Sequence, residues 1–361
     1  MNREDRPATL DPLVERLNVE FERTLKRNIK GLTYIASAAP TVGETPRDLL
    51  YKNGTLNLFH YRPLASEIYR VPLLVVMATT NRGYILDLSP QLSFVRFLLE
   101  AGYDVYMIDW TPPTADEKSL RLEDYTQRFI PECVRRVQAT SGQSDVTLLG
   151  YCMGGVLALL YAATHPEGPM KNLVCFTTPV DFSAMKLFSK WSSERHFDVD
   201  RLVDTLGNVP SELIFTSFEM LRPATRAASQ VKLWDNMWND EHVKSFRMFE
   251  RWSTDTLPIA GEYFRQTIKD LIWGNALCTT TFRLGGKAVD LRTITVPLLH
   301  VLAEHDHIVP YEAAKPLVRG VASTDREEIV LKGGHVSVVA GPSAKDRLWP
   351  KLDDWLGARS V

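Results

Sequence analysis

The segment 145–166, DVTLLGYCMGGVLALLYAATHP, most constrains the fold of this 361-residue chain. A short run of apolar β-formers is followed at once by a glycine-rich turn and then by an Ala- and Leu-rich helical pattern. Cys152 lies in the turn, with Gly150 two residues before it and Gly154 and Gly155 after it. The sequence therefore predicts a strand, a sharp turn that presents a thiol, and a helix that folds back on the strand.

The glycines of this turn have a steric role. A residue on so sharp a turn has a strained backbone, and its neighbours two positions away must be small to avoid collisions between Cβ atoms. The turn also aims the N–H of Met153 and the helix N-terminus at whatever Cys152 attacks, and both favour negative charge. A buried cysteine in an ordinary glycine-rich turn is the alternative, unless a base and a carboxylate follow.

Composition argues against several classes of function. The net charge is −2 and no Lys/Arg block is present, so we expect no nucleic-acid partner. The four cysteines are far apart and form no C-x-x-C motif, which indicates a reducing compartment rather than zinc or disulfides. The N-terminus is charged and no apolar run reaches about 18 residues. We therefore expect a cytoplasmic protein without a transmembrane helix.

Residues 10–36 carry apolar side chains every three or four positions among Glu, Arg and Lys. This pattern predicts an amphipathic helix. We favour packing of this helix on the protein's own surface, and docking to a partner subunit or an apolar surface is the alternative. We assign residues 1–45 to an N-terminal helical segment.

From residue 46 onward, strand patterns alternate with helix patterns. Strands are predicted at 56–61, 73–77, 104–109, 146–149, 172–176, 297–302 and 328–331, and helices at 89–101 and 122–140 and after Cys152. Such alternation predicts a mostly parallel sheet with helices on both faces. Ligands bind at the carboxyl ends of the strands in such sheets, where Cys152 is expected to lie.

The alternation is interrupted between residues 182 and 292, which are rich in Phe, Trp, Met and Leu and have helical patterns. We predict a helical lid insertion here, between the core segments 46–181 and 293–361. Any single aromatic residue of the insertion is best interpreted as part of its own core. Together, these residues are also suited to line an acyl channel or a dimer face.

Two candidate partners for Cys152 follow the insertion. Asp306 comes after the strand predicted at 297–302, and His335 comes after the strand predicted at 328–331. The order Cys, Asp, His is the nucleophile, acid and base order of the α/β-hydrolases, whose G-x-S-x-G elbow here carries cysteine. Imidazole supplies a base with a pKa near working pH, and a carboxylate fixes its tautomer.

The residues around Asp306 allow a second interpretation. Glu304, His305, Asp306 and His307 have the side chains of a metal cluster, but no second cluster complements them and a triad nucleophile needs no metal. We therefore predict no metal. Glu304 and His305 are interpreted as loop surface, and His307 as structural, with substrate positioning as the alternative.

The choice of cysteine over serine points to acyl transfer. A thiolate is a strong nucleophile, and exchange between two thioesters is nearly balanced in energy. Transfer from the enzyme thioester to an alcohol is then downhill. The residues alone do not define the acyl group or the acceptor.

The chain also resembles a known family, the catalytic subunit of the poly(3-hydroxyalkanoate) synthases (PhaC), from about Thr45 onward. The matching stretches are NRGYILDL (81–88), DVYMIDW (104–110), GYCMGG (150–155), PVDF (179–182), VDTLGNVP (203–210), GEYFRQ (261–266), DHIVP (306–310) and GHVSVVAGP (334–342). The length of the chain resembles the two-component classes III and IV. The GYCMGG box and the HVSVV ending resemble class IV most.

The resemblance implies a mechanism. Cys152 would be acylated by (R)-3-hydroxyacyl-CoA, expected to be 3-hydroxybutyryl-CoA, with His335 as the base. Asp306 would orient His335 or help to activate the attacking hydroxyl. The backbone N–H groups of Met153 and Thr80 would form the oxyanion hole. Asn81 and His307 are candidates for substrate positioning, with a structural role favoured for His307. No cofactor is implied because coenzyme A is part of the substrate and is released.

The resemblance also implies partners. These are a second synthase subunit, PhaR- or PhaE-like, a homodimer or larger assembly, and the surface of a cytoplasmic polymer granule rather than a membrane span. Two alternatives stay open. A Cys-dependent hydrolase of the dienelactone hydrolase kind shares the elbow, but it is much shorter and lacks the insertion. A non-catalytic granule scaffold would not require the Cys152, Asp306 and His335 set.

Overall fold

The computed structural model describes residues 12–36, 38–279 and 281–361. Its strands are β1 (Arg47–Asn53), β2 (Leu56–Tyr61), β3 (Leu73–Val76), β4 (Val105–Trp110), β5 (Val146–Tyr151), β6 (Met170–Phe176), β7 (Arg283–Leu284), β8 (Lys287–Ala288), β9 (Leu298–Ala303) and β10 (Arg326–Leu331). Eight of them form one sheet in the order β1-β2-β4-β3-β5-β6-β9-β10, and β7 pairs with β8.

The described residues also form fifteen α-helices. They are α1 (Pro12–Ala36), α2 (Phe94–Glu100), α3 (Ile130–Ser141), α4 (Met153–Thr164), α5 (Leu187–Trp191), α6 (Val199–Leu206), α7 (Ser211–Leu221), α8 (Pro223–Asp235), α9 (Asp240–Thr254), α10 (Gly261–Gln266), α11 (Tyr311–Ala314), α12 (Pro316–Gly320), α13 (Ser337–Ala340), α14 (Pro342–Arg347) and α15 (Trp349–Gly357). Two π-helical segments, Asp124–Phe129 and Thr267–Trp273, precede α3 and follow α10.

The sheet is mostly parallel, as predicted. β3 pairs in parallel with β4 and β5, and the parallel pairing continues through β6 and β9 to β10. The antiparallel pairs of this sheet are β1 with β2 and β2 with β4. Every residue of β3, β4, β5 and β9 is buried, which explains why their sequences are mostly apolar and show no alternation.

The strand β1 was missed by the sequence analysis. Its residues are partly exposed and lack a clean alternation of apolar and polar side chains. It pairs with β2 through a two-residue loop, because Asn53 is opposite Leu56. Gly54, the first of the two loop residues, has φ 56°, and glycine at this position is a hairpin signal that would have predicted this strand.

One predicted helix boundary was wrong, and a second predicted helix was found with an irregular first part. The helix predicted from Ser89 begins only at Phe94, because the Ser93 hydroxyl caps it by accepting from the N–H of Arg96 at 2.9 Å. The helix predicted over 122–140 is confirmed, because residues 122–141 are helical throughout, with a π-helical segment (Asp124–Phe129) that leads directly into α3. Pro131 lies in the first turn of α3, and it has no N–H to continue the bonding pattern of a single helix.

The chain divides into two units. One contains the described residues up to Thr41 and the segment Arg222–Arg251, and the other contains Val42–Leu221 and Trp252–Val361. The helix predicted over 10–36 is found as α1, with residues 10 and 11 outside the described residues. The segments 1–45 and 182–292 stay predictions as domains, and residues 1–11, 37 and 280 of these segments are not described.

Candidate active site

Cys152 lies at the carboxyl end of β5, where the chain turns sharply into α4. Its backbone has φ 54° and ψ −120°, a region that residues with a Cβ atom rarely adopt. Its carbonyl accepts from the N–H groups of Gly155 at 2.9 Å and Val156 at 3.2 Å. The first turn of α4 therefore holds the thiol in place by its own backbone.

The three glycines of the elbow allow close backbone approach. A Cβ on Gly150 would lie 2.7 Å from the nitrogen of Gly155, and one on Gly154 would lie 2.7 Å from the carbonyl carbon of Met77. A Cβ on Gly155 would lie 2.9 Å from Cβ of Thr178. Real Cβ atoms do not approach other atoms so closely, so α4 lies against β3 and β5 only because these residues are glycine.

Asp306 and His335 meet in the loops that follow β9 and β10. Nδ1 of His335 donates to Oδ2 of Asp306 at 2.7 Å. The second carboxylate oxygen of Asp306 accepts from the backbone N–H groups of Ile308 and Val309, both at 2.8 Å. A carboxylate only accepts, so Nδ1 of His335 carries the proton and Nε2 is left for another partner.

The His335 ring also interacts with Cys152. Burial of His335, which is only 5% exposed, disfavours its charged form. The carboxylate of Asp306, the charge of Cys152 and hydrogen bonds to both outweigh burial and raise the pKa of His335 from 6.5 to about 10. The structure thus brings together the three residues that the sequence singled out, at the carboxyl ends of β5, β9 and β10.

The predicted oxyanion donors are Met153, which directly follows Cys152, and Thr80, which lies in a separate loop. Met153 is the first residue of α4, so its N–H has no acceptor within the helix. Thr80 lies in the loop after β3, and its carbonyl accepts from the N–H of Leu257 at 2.8 Å. Its hydroxyl donates to the side-chain oxygen of Asn81 at 3.0 Å. The roles of these residues stay predictions.

The side chains around Asp306 differ in exposure. Glu304 and His305 are exposed, as predicted, and His307 is half-buried. Across residues 12–36, 38–279 and 281–361, no group of three or more His, Cys, Asp and Glu side chains is arranged to bind a metal. In the same ranges, no helix is long and apolar enough to cross a bilayer.

Sequence reasoning missed two buried tyrosines near the site. The Tyr151 hydroxyl donates to the carbonyl of His335 at 3.5 Å, and the two rings are 5.4 Å apart. The Tyr263 hydroxyl accepts from the Thr79 hydroxyl at 3.3 Å. Both tyrosines lie in stretches that carried the family resemblance, but nothing in a single sequence shows that they reach the active-site loops.

Comparison with known proteins identifies the family. Residues 35–98 match the family described as poly-beta-hydroxybutyrate polymerase (PhaC) N-terminus, and residues 81–342 match the alpha/beta hydrolase fold family. A poly(3-hydroxyalkanoate) polymerase subunit PhaC from Allochromatium vinosum is 36% identical over 345 residues, covering 94% of this chain and 96% of the relative. The chain belongs to the PhaC family. The resemblance drawn from the sequence motifs is therefore confirmed.

A second PhaC relative, from Haloferax mediterranei, is 38% identical over 322 residues, covering 89% of this chain. This chain spans 65% of the length of that relative. The relatives are named as polymerases, which are acyltransferase-type enzymes, in agreement with the enzyme class predicted for a PhaC chain.

Solved structures support the predicted α/β-hydrolase fold. MenH from S. aureus superposes with a TM-score of 0.51 at 16% identity, covering 85% of this chain and 99% of MenH. A monoacylglycerol lipase from Paleococcus ferrophilus superposes with a TM-score of 0.50 at 15% identity, covering 83% of this chain and 99% of the lipase. At these identities the likeness shows the fold alone, and the fold prediction is confirmed.

Proposed function

We propose that this chain polymerises (R)-3-hydroxyacyl-CoA into a polyester with release of coenzyme A. The observation that carries the proposal is the His335 ring, which donates to Asp306 at 2.7 Å and interacts with the Cys152 thiol on a strained elbow. A thiol, a base and a carboxylate in this relation are the elements of nucleophilic acyl transfer. Membership of the PhaC family supplies the acyl donor and the product.

In the first step, Cys152 is acylated. His335, whose raised pKa favours its protonated form, holds the thiol proton, and the Cys152 sulfur attacks the thioester carbonyl carbon. The new carbon–sulfur bond to Cys152 forms, the bond to coenzyme A breaks, and His335 returns the proton to the departing thiolate. The N–H groups of Met153 and Thr80 are proposed to stabilise the oxyanion.

In the second step, the hydroxyl of another 3-hydroxyacyl group attacks the enzyme thioester. His335 accepts the hydroxyl proton, the ester bond forms, and the proton passes to the released sulfur of Cys152. We assign Asp306 to orienting His335 rather than to activating the hydroxyl, because three N–H donors already occupy its carboxylate oxygens. Asn81 and His307, in the loops after β3 and β9, are proposed to position the substrate.

The proposed substrate is 3-hydroxybutyryl-CoA, which rests on the likeness of the GYCMGG box to class IV synthases. Coenzyme A leaves as part of the reaction, so no separate cofactor is proposed. The product is an insoluble polyester, and we propose that the protein works in the cytoplasm at the surface of polymer granules, as a homodimer or larger assembly.

We also propose that the helix α1 binds a second, PhaR- or PhaE-like subunit. One face of α1 carries large apolar side chains that are exposed to solvent. They are Leu17 (62%), Phe21 (70%), Leu25 (51%), Ile29 (56%) and Leu32 (76%). A contiguous apolar face of this kind is typical of an interaction site.

The polar face of α1 already has partners within its own unit. The guanidinium of Arg23 lies 4.8 Å from the centre of the Trp238 ring, and Lys30 donates to the Asp240 carboxylate at 2.5 Å. The usual arrangement, apolar face inward and polar face outward, is thus reversed in α1. This reversal favours the docking interpretation over packing of the apolar face on the protein's own surface.

The test is coenzyme A release and polymer formation from 3-hydroxybutyryl-CoA, with and without the co-encoded second subunit. We expect polymer from the wild type with the subunit and none from Cys152→Ala, whereas Cys278→Ala, which removes a different exposed cysteine, should behave as the wild type. Free 3-hydroxybutyrate without polymer would favour the Cys-dependent hydrolase. Polymer formed by Cys152→Ala would favour the scaffold.

A further inference from the structure

Tyr263 connects the insertion to the loop that follows β3. It lies in α10, and its side chain is only 2% exposed. Its hydroxyl oxygen accepts from the hydroxyl of Thr79 at 3.3 Å, and Thr79 is itself buried. Thr79 directly precedes Thr80, the proposed second oxyanion donor. The insertion therefore contacts the oxyanion loop from inside the protein.

The phenol of Tyr263 also interacts electrostatically with the nucleophile. Burial is the main cause that raises the pKa of Tyr263 to about 12, and the charge of Cys152 raises it further. The hydroxyl is therefore protonated throughout the working range, and the charge of Cys152 acts on it. Tyr263 thus contacts the loop after β3 and is electrostatically coupled to Cys152.

The ring of Tyr263 is held firmly in this place. It packs against Tyr125 with ring centroids 4.6 Å apart, and Tyr125 packs edge-on against Trp110 at 5.1 Å. The backbone carbonyl of Tyr263 accepts from the Thr267 hydroxyl at 2.8 Å. A ring fixed by aromatic packing is a rigid anchor for a hydrogen bond to a loop.

The same loop has a second attachment to the segment before α10. The carbonyl of Thr80 accepts from the N–H of Leu257 at 2.8 Å, and Asn81 forms an isolated bridge with Thr256. This attachment fixes Thr80 and Asn81, and the hydrogen bond between the hydroxyls of Thr79 and Tyr263 fixes the preceding residue, Thr79. The direction of the Thr80 N–H depends on both.

We propose that Tyr263 is a positioning residue for the oxyanion hole: through Thr79 it sets the orientation of the Thr80 N–H toward the carbonyl that Cys152 attacks. The inference rests on the proposed acyl transfer. It differs from a role in the triad, because Tyr263 acts on the oxyanion and leaves the Cys152, His335 and Asp306 set unchanged. A small change in the direction of an oxyanion N–H lowers the acylation rate steeply, because the donor stabilises the oxyanion only when it points at it.

The test compares Tyr263→Phe with Tyr125→Phe, which removes a hydroxyl from the same aromatic cluster but not the one bonded to Thr79. Two rates are measured for the full chain: acylation of Cys152 by a small aryl thioester, followed by intact mass, and alkylation of Cys152 by iodoacetamide. Acylation passes through an oxyanion and alkylation does not. We expect Tyr263→Phe to slow acylation about 10- to 100-fold and to leave alkylation unchanged.

Thr79→Val should show the same loss, and the double variant should be no slower than either single variant. In turnover with 3-hydroxybutyryl-CoA, the loss should fall on kcat rather than KM. Equal acylation rates for Tyr263→Phe and Tyr125→Phe would overturn the proposal, and so would a parallel loss of alkylation, which would indicate general disruption. The small thioester decides the matter even if the wild type fails to polymerise 3-hydroxybutyryl-CoA, so failure of the proposed function remains distinguishable.

Discussion

The substitution Asp306→Asn tests the proposed chemistry most directly, because it changes the bonding to His335 by a single group. In the wild type, one carboxylate oxygen accepts from His335 at 2.7 Å and the other accepts from the N–H groups of Ile308 and Val309, both at 2.8 Å. Asparagine can keep the two backbone bonds with its carbonyl oxygen. Its NH₂ group would then face Nδ1 of His335.

Two donors cannot bond to each other, so the His335 ring must change tautomer. Nδ1 then accepts from the amide, and Nε2 carries the proton and cannot take one from Cys152. Loss of the Asp306 charge also removes the largest of the causes that raise the pKa of His335, so this pKa falls from about 10. The analogous substitution in a Ser-His-Asp triad lowers kcat about 10⁴-fold, and we expect a loss of about 10³- to 10⁴-fold here near neutral pH.

The assay is single-turnover acylation of Cys152 across a range of pH, with iodoacetamide alkylation measured in parallel. We expect both rates to fall near neutral pH and to recover partly at alkaline pH, where the thiol ionises without a base. Asp290→Asn is the matched control, because Asp290 also caps a loop by accepting from a backbone N–H, that of Arg292 at 2.9 Å. If Asp306→Asn stays within about threefold of both the wild type and this control, the role given to Asp306 is wrong.

Three further predictions concern stability and assembly. Gly154→Ala should destabilise the fold by about 3 kcal/mol, because the new Cβ would collide with strand backbone. Gly320→Ala is the control and should be nearly neutral, because the nearest atom to its Cβ would be 3.8 Å away. Equal midpoints of denaturant unfolding for the two variants would contradict this prediction. The pKa of His335 is raised from 6.5 to about 10, so the charged ring stabilises the fold fully below pH 6.5, and this stabilisation is lost as the pH rises toward 10. The Tm of the wild type should therefore fall between pH 6.5 and 10. The Tm of His335→Gln should change less over the same range. Identical profiles would exclude this. The double substitution Phe21→Glu and Leu25→Glu, at positions that are 70% and 51% exposed, should weaken binding of the second subunit at least tenfold. The Tm of the isolated chain should not change. Unchanged affinity for the second subunit would count against α1 as the docking helix.

Most of the sheet was predictable because its central strands are buried on both faces. A strand buried in this way needs a continuous apolar run, and the runs at β3, β5 and β9 are visible without any structure. The edge strand β1 and the start of α2 were not found from periodicity. Both depend on single polar or turn residues, Gly54 and Ser93, rather than on a repeating pattern.

The candidate triad was predictable for a different reason. Its residues follow three parallel strands, and parallel strands deliver their carboxyl ends to one edge of a sheet. The chain order of Cys152, Asp306 and His335, together with the glycines of the elbow, therefore indicated the site without any distance. The same reasoning says nothing about residues that reach the site from the insertion, because no sheet geometry places them.

The sequence by itself determined the family, the α/β alternation and the three residues that meet at the elbow, since each of these depends on local pattern or on the rule that parallel strands share an edge. Only the tertiary structure decided that Tyr263 contacts Thr79 across 184 residues of sequence and that α1 turns its polar face toward its own unit. Contacts of that kind depend on how helices pack against loops and against other helices. Helix packing is set by the shapes of many side chains at once, which no short stretch of sequence records.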